Sequence, residues 1–100
     1  MSRTQGWQKQ EDRIAKQVGG SVNAGSGAFD RKGDVRSRFF SIEAKWTGKK
    51  SYILKAETLE KILGEALAEG RSPLLQIELN GRCYAISEWD DALTYFPLVA

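Results

Sequence analysis

Three residues in the middle of this 100-residue chain have the types and spacing to do chemistry together. Asp34 stands in "KGDV", and Glu43 and Lys45 stand in "IEAK". Successive side chains of a strand point to opposite faces, so Glu43 and Lys45 share one face of "FFSIEAKW", about 7 Å apart along the strand. A tight turn carries Asp34 back toward that strand. Two carboxylates suit Mg²⁺, which takes one or two carboxylates, several waters and phosphate oxygens, without a nitrogen or sulfur ligand. A metal held there polarises a phosphoryl oxygen and lowers the pKa of a bound water. The lysine orients that water or stabilises charge in the transition state. The plainer reading of Glu-X-Lys is a solvated ion pair on a strand surface. The acids in preceding elements weigh against it.

Those elements follow from periodicity and punctuation. Residues 4–18 read as a helix, with Thr4 as N-cap and Gly19–Gly20 as the stop. Trp7, Ile14 and Val18 form its apolar stripe, and Glu11 lies on the same stripe, either paired or at its solvent edge. "GGSVNAGSGAFDRKGD" is a glycine-rich loop with a short strand near Ser21–Asn23, serving as a flexible link or a wrap for phosphate groups. It lacks the Gly-Lys-Ser/Thr ending of a P-loop. A hairpin follows, from Asp34–Val35 through a turn at Arg36–Arg38 into "FFSIEAKW". Leu59, Ile62, Leu63, Ala66 and Leu67 repeat at helical spacing, with Gly70 as C-cap. "PLLQIEL", the turn Asn80–Gly81 and "RCYAIS" make a second hairpin. Ser87 is placed to cap a final helix, "EWDDALTYF". The order α-β-β-α-β-β-α predicts a single α/β domain over residues 1–100, a central mixed sheet flanked by helices.

Composition removes other chemistries. There is no histidine, and Cys83 is the only cysteine. That excludes a histidine general base, a thiolate zinc cage and an intrachain disulfide, and predicts Cys83 as a small buried hydrophobe. The formal charge is only +2, so an argument for a polyanionic partner must rest on where the charge sits. No apolar run is long enough to span a membrane, and the N-terminus has no secretory hydrophobic core. A cytoplasmic location is the expectation.

The chain resembles the PD-(D/E)XK nuclease superfamily, and within it the small Holliday-junction-resolvase-like endonucleases of archaea and phages. The resemblance runs from Glu11 to Ile86 and rests on Glu11, on Asp34 in "KGDV", and on Glu43 and Lys45 in "IEAK". It extends to "KKSYILK", "ETLEKILGEALAEG" and "PLLQIEL". Gly33 replaces the proline expected before the aspartate. The resemblance implies a restriction-endonuclease-like core and a DNA endonuclease in which Asp34 and Glu43 ligate Mg²⁺ (or Mn²⁺). Ala44 and Glu11 complete the metal set, and Lys45 assists the attacking water. It also implies branched DNA as substrate, a part in DNA recombination, and a homodimer, because a junction needs two symmetric cuts. A same-fold enzyme that nicks or cuts duplex DNA is the alternative within this chemistry. A catalytically inactive nucleic-acid-binding module is the alternative outside it.

The distribution of charge supplies the DNA contacts. Arg31, Lys32, Arg36, Arg38, Lys49, Lys50 and Lys55, seven of the 15 Lys plus Arg, crowd the segments flanking Asp34 and Lys45. Such contacts position a phosphate backbone without reading bases. Their bland counterpart is a solubilising basic surface. Ser51 is a further phosphate contact. Gln76 interrupts an apolar strand, as a hydrogen-bonded core amide or as a group on the active side of the sheet. Trp7, Trp46 and Trp89 are read as packing residues, with base stacking open to any that is exposed.

Overall fold

The computed structural model describes residues 6–22 and 34–98, and the Trp7 side chain lies outside that description. Eight elements follow in order: α1 (Gly6–Val18), β1 (Ser21–Val22), β2 (Val35–Arg36), β3 (Phe40–Thr47), α2 (Ala56–Ala68), β4 (Ser72–Leu79), β5 (Arg82–Ser87) and α3 (Trp89–Tyr95). The strands form one sheet in the order β1-β2-β3-β4-β5. Neighbours are antiparallel except β3 and β4, which run parallel because α2 carries the chain back between them. The sheet is therefore mixed, as the element order predicts. Thr4, Asn23, Arg31, Lys32 and Gly33 lie outside the described residues.

Local chemistry accounts for the boundaries. Gly19 ends α1 at φ +65°, and the Gly20 N–H donates to the Ala15 carbonyl at 2.9 Å. A Cβ on Gly20 would collide with the Arg36 carbonyl, so only glycine lets β1 lie against β2 here. Asn80 and Gly81 both have positive φ, 50° and 77°, the pattern of a type I′ turn. Gly70, at φ +68°, closes α2, and the Arg71 N–H caps the Ala66 carbonyl at 2.9 Å. Ser87 does not cap α3. Glu88 holds that position without a side-chain bond, and the Ser87 hydroxyl donates to the Glu88 carbonyl at 3.1 Å.

Strand alternation divides the core between the two faces of the sheet. On one face Ile42 and Val35 bury against Ile14 and Ala15 of α1, flanked by Phe40, Ala44 and Leu74. On the other, Leu75 and Ile77 pack with Ile62 of α2. Each such aliphatic side chain contributes about 1.5–3 kcal/mol by leaving water. The helical stripes are narrower or shifted relative to their sequence patterns. α1 buries Gln10, Glu11, Ile14 and Ala15, and Val18 is 41% exposed. α2 buries Ile62 and Ala66, whereas Leu67 remains 63% exposed. Cys83 is exposed on the edge strand β5, which corrects its reading as a buried hydrophobe. Trp46 and Trp89, at 53% and 70% exposure, are not packing residues. Trp46 lies near the end of β3, and Trp89 opens α3. α3 covers the start of β3, where Phe40 meets Tyr95 edge-on at 5.0 Å.

Candidate active site

The site forms beside the pairing of β2 with β3. β2 has two residues, pairing with Ser41 and Ile42 of β3. Just before it, the Asp34 N–H donates to the Ile42 carbonyl at 3.0 Å. The next β3 amide on that edge, Ala44 N–H, donates to the Asp34 Oδ2 at 2.8 Å. A strand amide withdrawn from water needs an acceptor. Meeting that need fixes the Asp34 carboxylate beside the residue that follows Glu43. N–H and C=O of one strand residue point to the same edge. The Ala44 carbonyl thus shares the Asp34 side of β3.

Glu43 faces the α2 side of the sheet, with its side chain 21% exposed. Its pKa is raised from the ordinary 4.5 to about 7. Burial is the main cause, and the negative charge of Asp34 adds to it. Lys45 opposes the shift, with Nζ 3.6 Å from the Glu43 Oε1. Two further charges reach Glu43 from α2: Glu65 raises its pKa and Lys61 lowers it. Lys61 Nζ lies 4.0 Å from the Glu65 Oε1, one helical turn apart. Neither was singled out from sequence. The available signal was their place immediately before Ile62 and Ala66, the two residues α2 buries.

The Lys45 backbone is held from the opposite face. Gln10, wholly buried in α1, donates through Nε2 to the Lys45 carbonyl at 3.0 Å and to the Gln76 Oε1 at 2.6 Å. Gln76 is thus a hydrogen-bonded core amide on the α1 side, away from Glu43. Glu11 is 3% exposed, not at the solvent edge of its stripe. Among the described residues no group of three or more Asp, Glu, His or Cys is gathered as a metal cluster. The geometry brings together Asp34, Glu43 and Lys45, and Glu11 is buried in α1.

The residues fit a hard divalent cation. Asp34 and Glu43 offer anionic oxygens, no nitrogen or sulfur donor enters, and Glu43 is held near neutrality by burial and a second carboxylate. A cation would relieve that penalty.

The basic candidates sit on two segments. Lys49, Lys50, Ser51 and Lys55 are exposed in the connection between β3 and α2. Arg36 pairs with Glu69 at 3.2 Å, and the Arg38 guanidinium lies 5.1 Å from the Phe39 ring centre. Arg31 and Lys32 fall outside the described residues.

No protein-family model and no curated protein matches the sequence. Among solved structures the chain is similar to that of Archaeoglobus fulgidus Hjc, a Holliday junction resolvase from an archaeal hyperthermophile. The TM-score is 0.64 at 18% identity, covering 79% of this chain and 73% of that one. The chain has that fold, in agreement with the α/β architecture read from its sequence.

Proposed function

We propose that a chain with the fold of a junction resolvase, carrying Asp34, Glu43 and Lys45 as described, is a metal-dependent endonuclease. It hydrolyses DNA phosphodiester bonds, at branched DNA such as Holliday junctions. The observation that carries this reading is the Asp34 carboxylate locked to β3, with Glu43 near neutrality and the Lys45 ammonium 3.6 Å from it.

Asp34 and Glu43, with the Ala44 carbonyl and Glu11 as further donors, would hold Mg²⁺ or Mn²⁺, which would polarise a phosphoryl oxygen and acidify a water. The protein's own groups do the rest. Lys45 orients the nucleophile and offsets charge as the phosphorane-like transition state forms. The Ala44 N–H keeps the Asp34 carboxylate pointed at the site. Gln10 holds the strand behind Lys45. Lys49, Lys50, Ser51 and Lys55, with Arg31, Lys32, Arg36 and Arg38, bind backbone phosphates. Junction resolution needs two opposed cuts, so the active species is a homodimer.

The test is cleavage of a four-way junction and of a linear duplex of the same sequences, with Mg²⁺, Mn²⁺ or EDTA. The junction is expected to be cut with either metal and not in EDTA. Equal cutting of the duplex would move the assignment to a duplex nuclease, and no cutting of either DNA would leave a binding module. The same assay examines Glu11. Glu11→Gln is expected to weaken metal-dependent cutting at least about tenfold while the far-UV circular dichroism stays unchanged. Unaltered cutting would reduce the site to Asp34, Glu43 and Lys45.

A further inference from the structure

An open cleft of about 470 Å³ lies beside the start of β3. Its walls are three arginines, Arg36, Arg38 and Arg71, two serines, Ser21 and Ser37, and the glycine pair that ends α1. The guanidinium groups are set in place. Arg71 Nε donates to the Ser37 carbonyl at 2.9 Å. Arg36 and Arg71 both reach the same Glu69 oxygen, at 3.2 and 3.5 Å. One carboxylate thus orients two planar forks whose geometry matches phosphate oxygens. Gly20 keeps the far wall close, since any side chain there would strike the Arg36 carbonyl.

The position of the cleft relative to the acids is set by strand pairing. Arg36 pairs with Ser41, which precedes Glu43 by two residues on the same face of β3. Two strand residues span about 7 Å, on the scale of the through-space separation of neighbouring phosphates along one DNA strand, which exceeds the axial rise of about 3.4 Å because the backbone winds around the axis. A strand gripped in the cleft by one phosphate therefore presents a nearby phosphate to Glu43 and Lys45.

We propose that the Arg36–Arg38–Arg71 cleft binds a phosphodiester of the substrate strand, one or two nucleotides from the bond that is cut. The proposal rests on the endonuclease reading above and adds to it the register in which the strand lies. The competing explanation is structural. α1 and α2 both end at this cleft, and cations at helix C-termini are stabilising without any ligand.

Arg38→Ala and Arg71→Lys, each made in the cleavage-silent Glu43→Gln background, separate the two. Junction DNA binding is measured in EDTA across a series of salt concentrations, beside thermal melts. A parallel titration with inorganic phosphate follows the amide signals of Gly20, Ser21 and Ser37 by NMR. Loss of one phosphate contact is expected to lower the slope of log K against log salt by about 0.9, to weaken binding alike for unrelated sequences, and to blunt the phosphate-induced shifts. Arg71→Lys keeps the charge but loses the fork, so it is expected to retain the slope and lose affinity. A lowered melting temperature with unchanged slope, affinity and phosphate shifts would overturn the proposal and leave the arginines as helix-end counter-charges. In that case wild-type cleavage of the junction still upholds the nuclease reading. If the Glu43→Gln parent binds no DNA and the wild type cuts none, the nuclease reading fails and the cleft assignment with it.

Discussion

Asp34→Asn and Glu43→Gln are each expected to abolish cleavage while leaving the fold and DNA binding in place. Each replaces a hard anionic oxygen donor with a neutral amide of nearly the same shape. Asp34 and Glu43 supply the anionic oxygens on either side of the Ala44 position, and losing one weakens the hold on the cation. Binding in Ca²⁺ or EDTA is the control, and full activity of either variant would remove the assignment. The two substitutions should differ in apo stability. The Glu43 pKa is raised from 4.5 to about 7. Below pH 4.5 its carboxyl is neutral whether folded or not. Between 4.5 and 7 the folded protein keeps a proton that the unfolded chain has released, so stability falls as pH rises through that window. Above 7 the loss is complete, on the order of 3 kcal/mol. Glu43→Gln removes the buried charge. Without metal it should melt at the same temperature as the wild type near pH 4 and well above it at pH 8. At roughly 4–8 °C per kcal/mol for a domain of this size, the difference is readily measured. Mg²⁺ should raise the melting temperature of the wild type at pH 8 and not that of the variant. Asp34→Asn takes a charge-assisted acceptor from the Ala44 N–H and has no comparable gain to offset it.

Lys45→Ala is expected to slow turnover by about 10²-fold or more, with junction affinity nearly intact. That is the usual scale for removing one preorganised electrostatic group from a developing oxyanion. Its ammonium is 3.6 Å from the Glu43 Oε1 and its side chain is 39% exposed. As an ion pair alone, so exposed a contact contributes about 1 kcal/mol or less to stability, and its loss would leave turnover unchanged. Single-turnover cleavage at saturating Mg²⁺ distinguishes the two. A rate within a factor of two of the wild type would return Lys45 to the role of counter-charge.

The strands, their order and the pairing of Glu43 with Lys45 were legible because alternation and turn chemistry are local signals. "NG" specified a turn that both residues adopt with positive φ. "GG" specified the end of α1. The helix faces were less legible. Leu59 and Leu67 repeat at the same spacing as Ile62 and Ala66, yet α2 crosses the sheet so that only the latter pair is covered. Spacing reports a stripe and cannot say how wide a partner will meet it. In α1 the covered face turns toward Gln10 and Glu11, and the buried Gln10 amide donates to the half-buried Gln76 across the helix–sheet contact. Cys83 and Trp46 depart from the sequence reading for a similar reason: apolar character predicts burial only where another element arrives, and among the described residues none covers β5 or the end of β3 at those points. The contribution of Glu65 and Lys61 to the Glu43 environment depends on the tertiary crossing of α2 over β3, which no local pattern encodes.

The parallel contact between β3 and β4 also sets the tempo at which this chain organises. The β4–β5 hairpin closes through two residues, and a hairpin of that kind forms within about 1–10 μs. The β3–β4 ladder, from Phe40↔Ser72 to Thr47↔Leu79, must close the whole span from Gly48 to Arg71 before it gains a single bond. The entropy of that closure is met before the contact repays it, so long-range parallel pairing lags behind local pairing. Asp34 meets Glu43 and Lys45 through the local β2–β3 pairing, and the docking of that unit on β4 and α2 is the late event. The hairpin and α2 can form first, and Glu43 meets Glu65 and Lys61 only when β3 docks. The acidic pair therefore acquires the burial that raises the Glu43 pKa only in this later docking step.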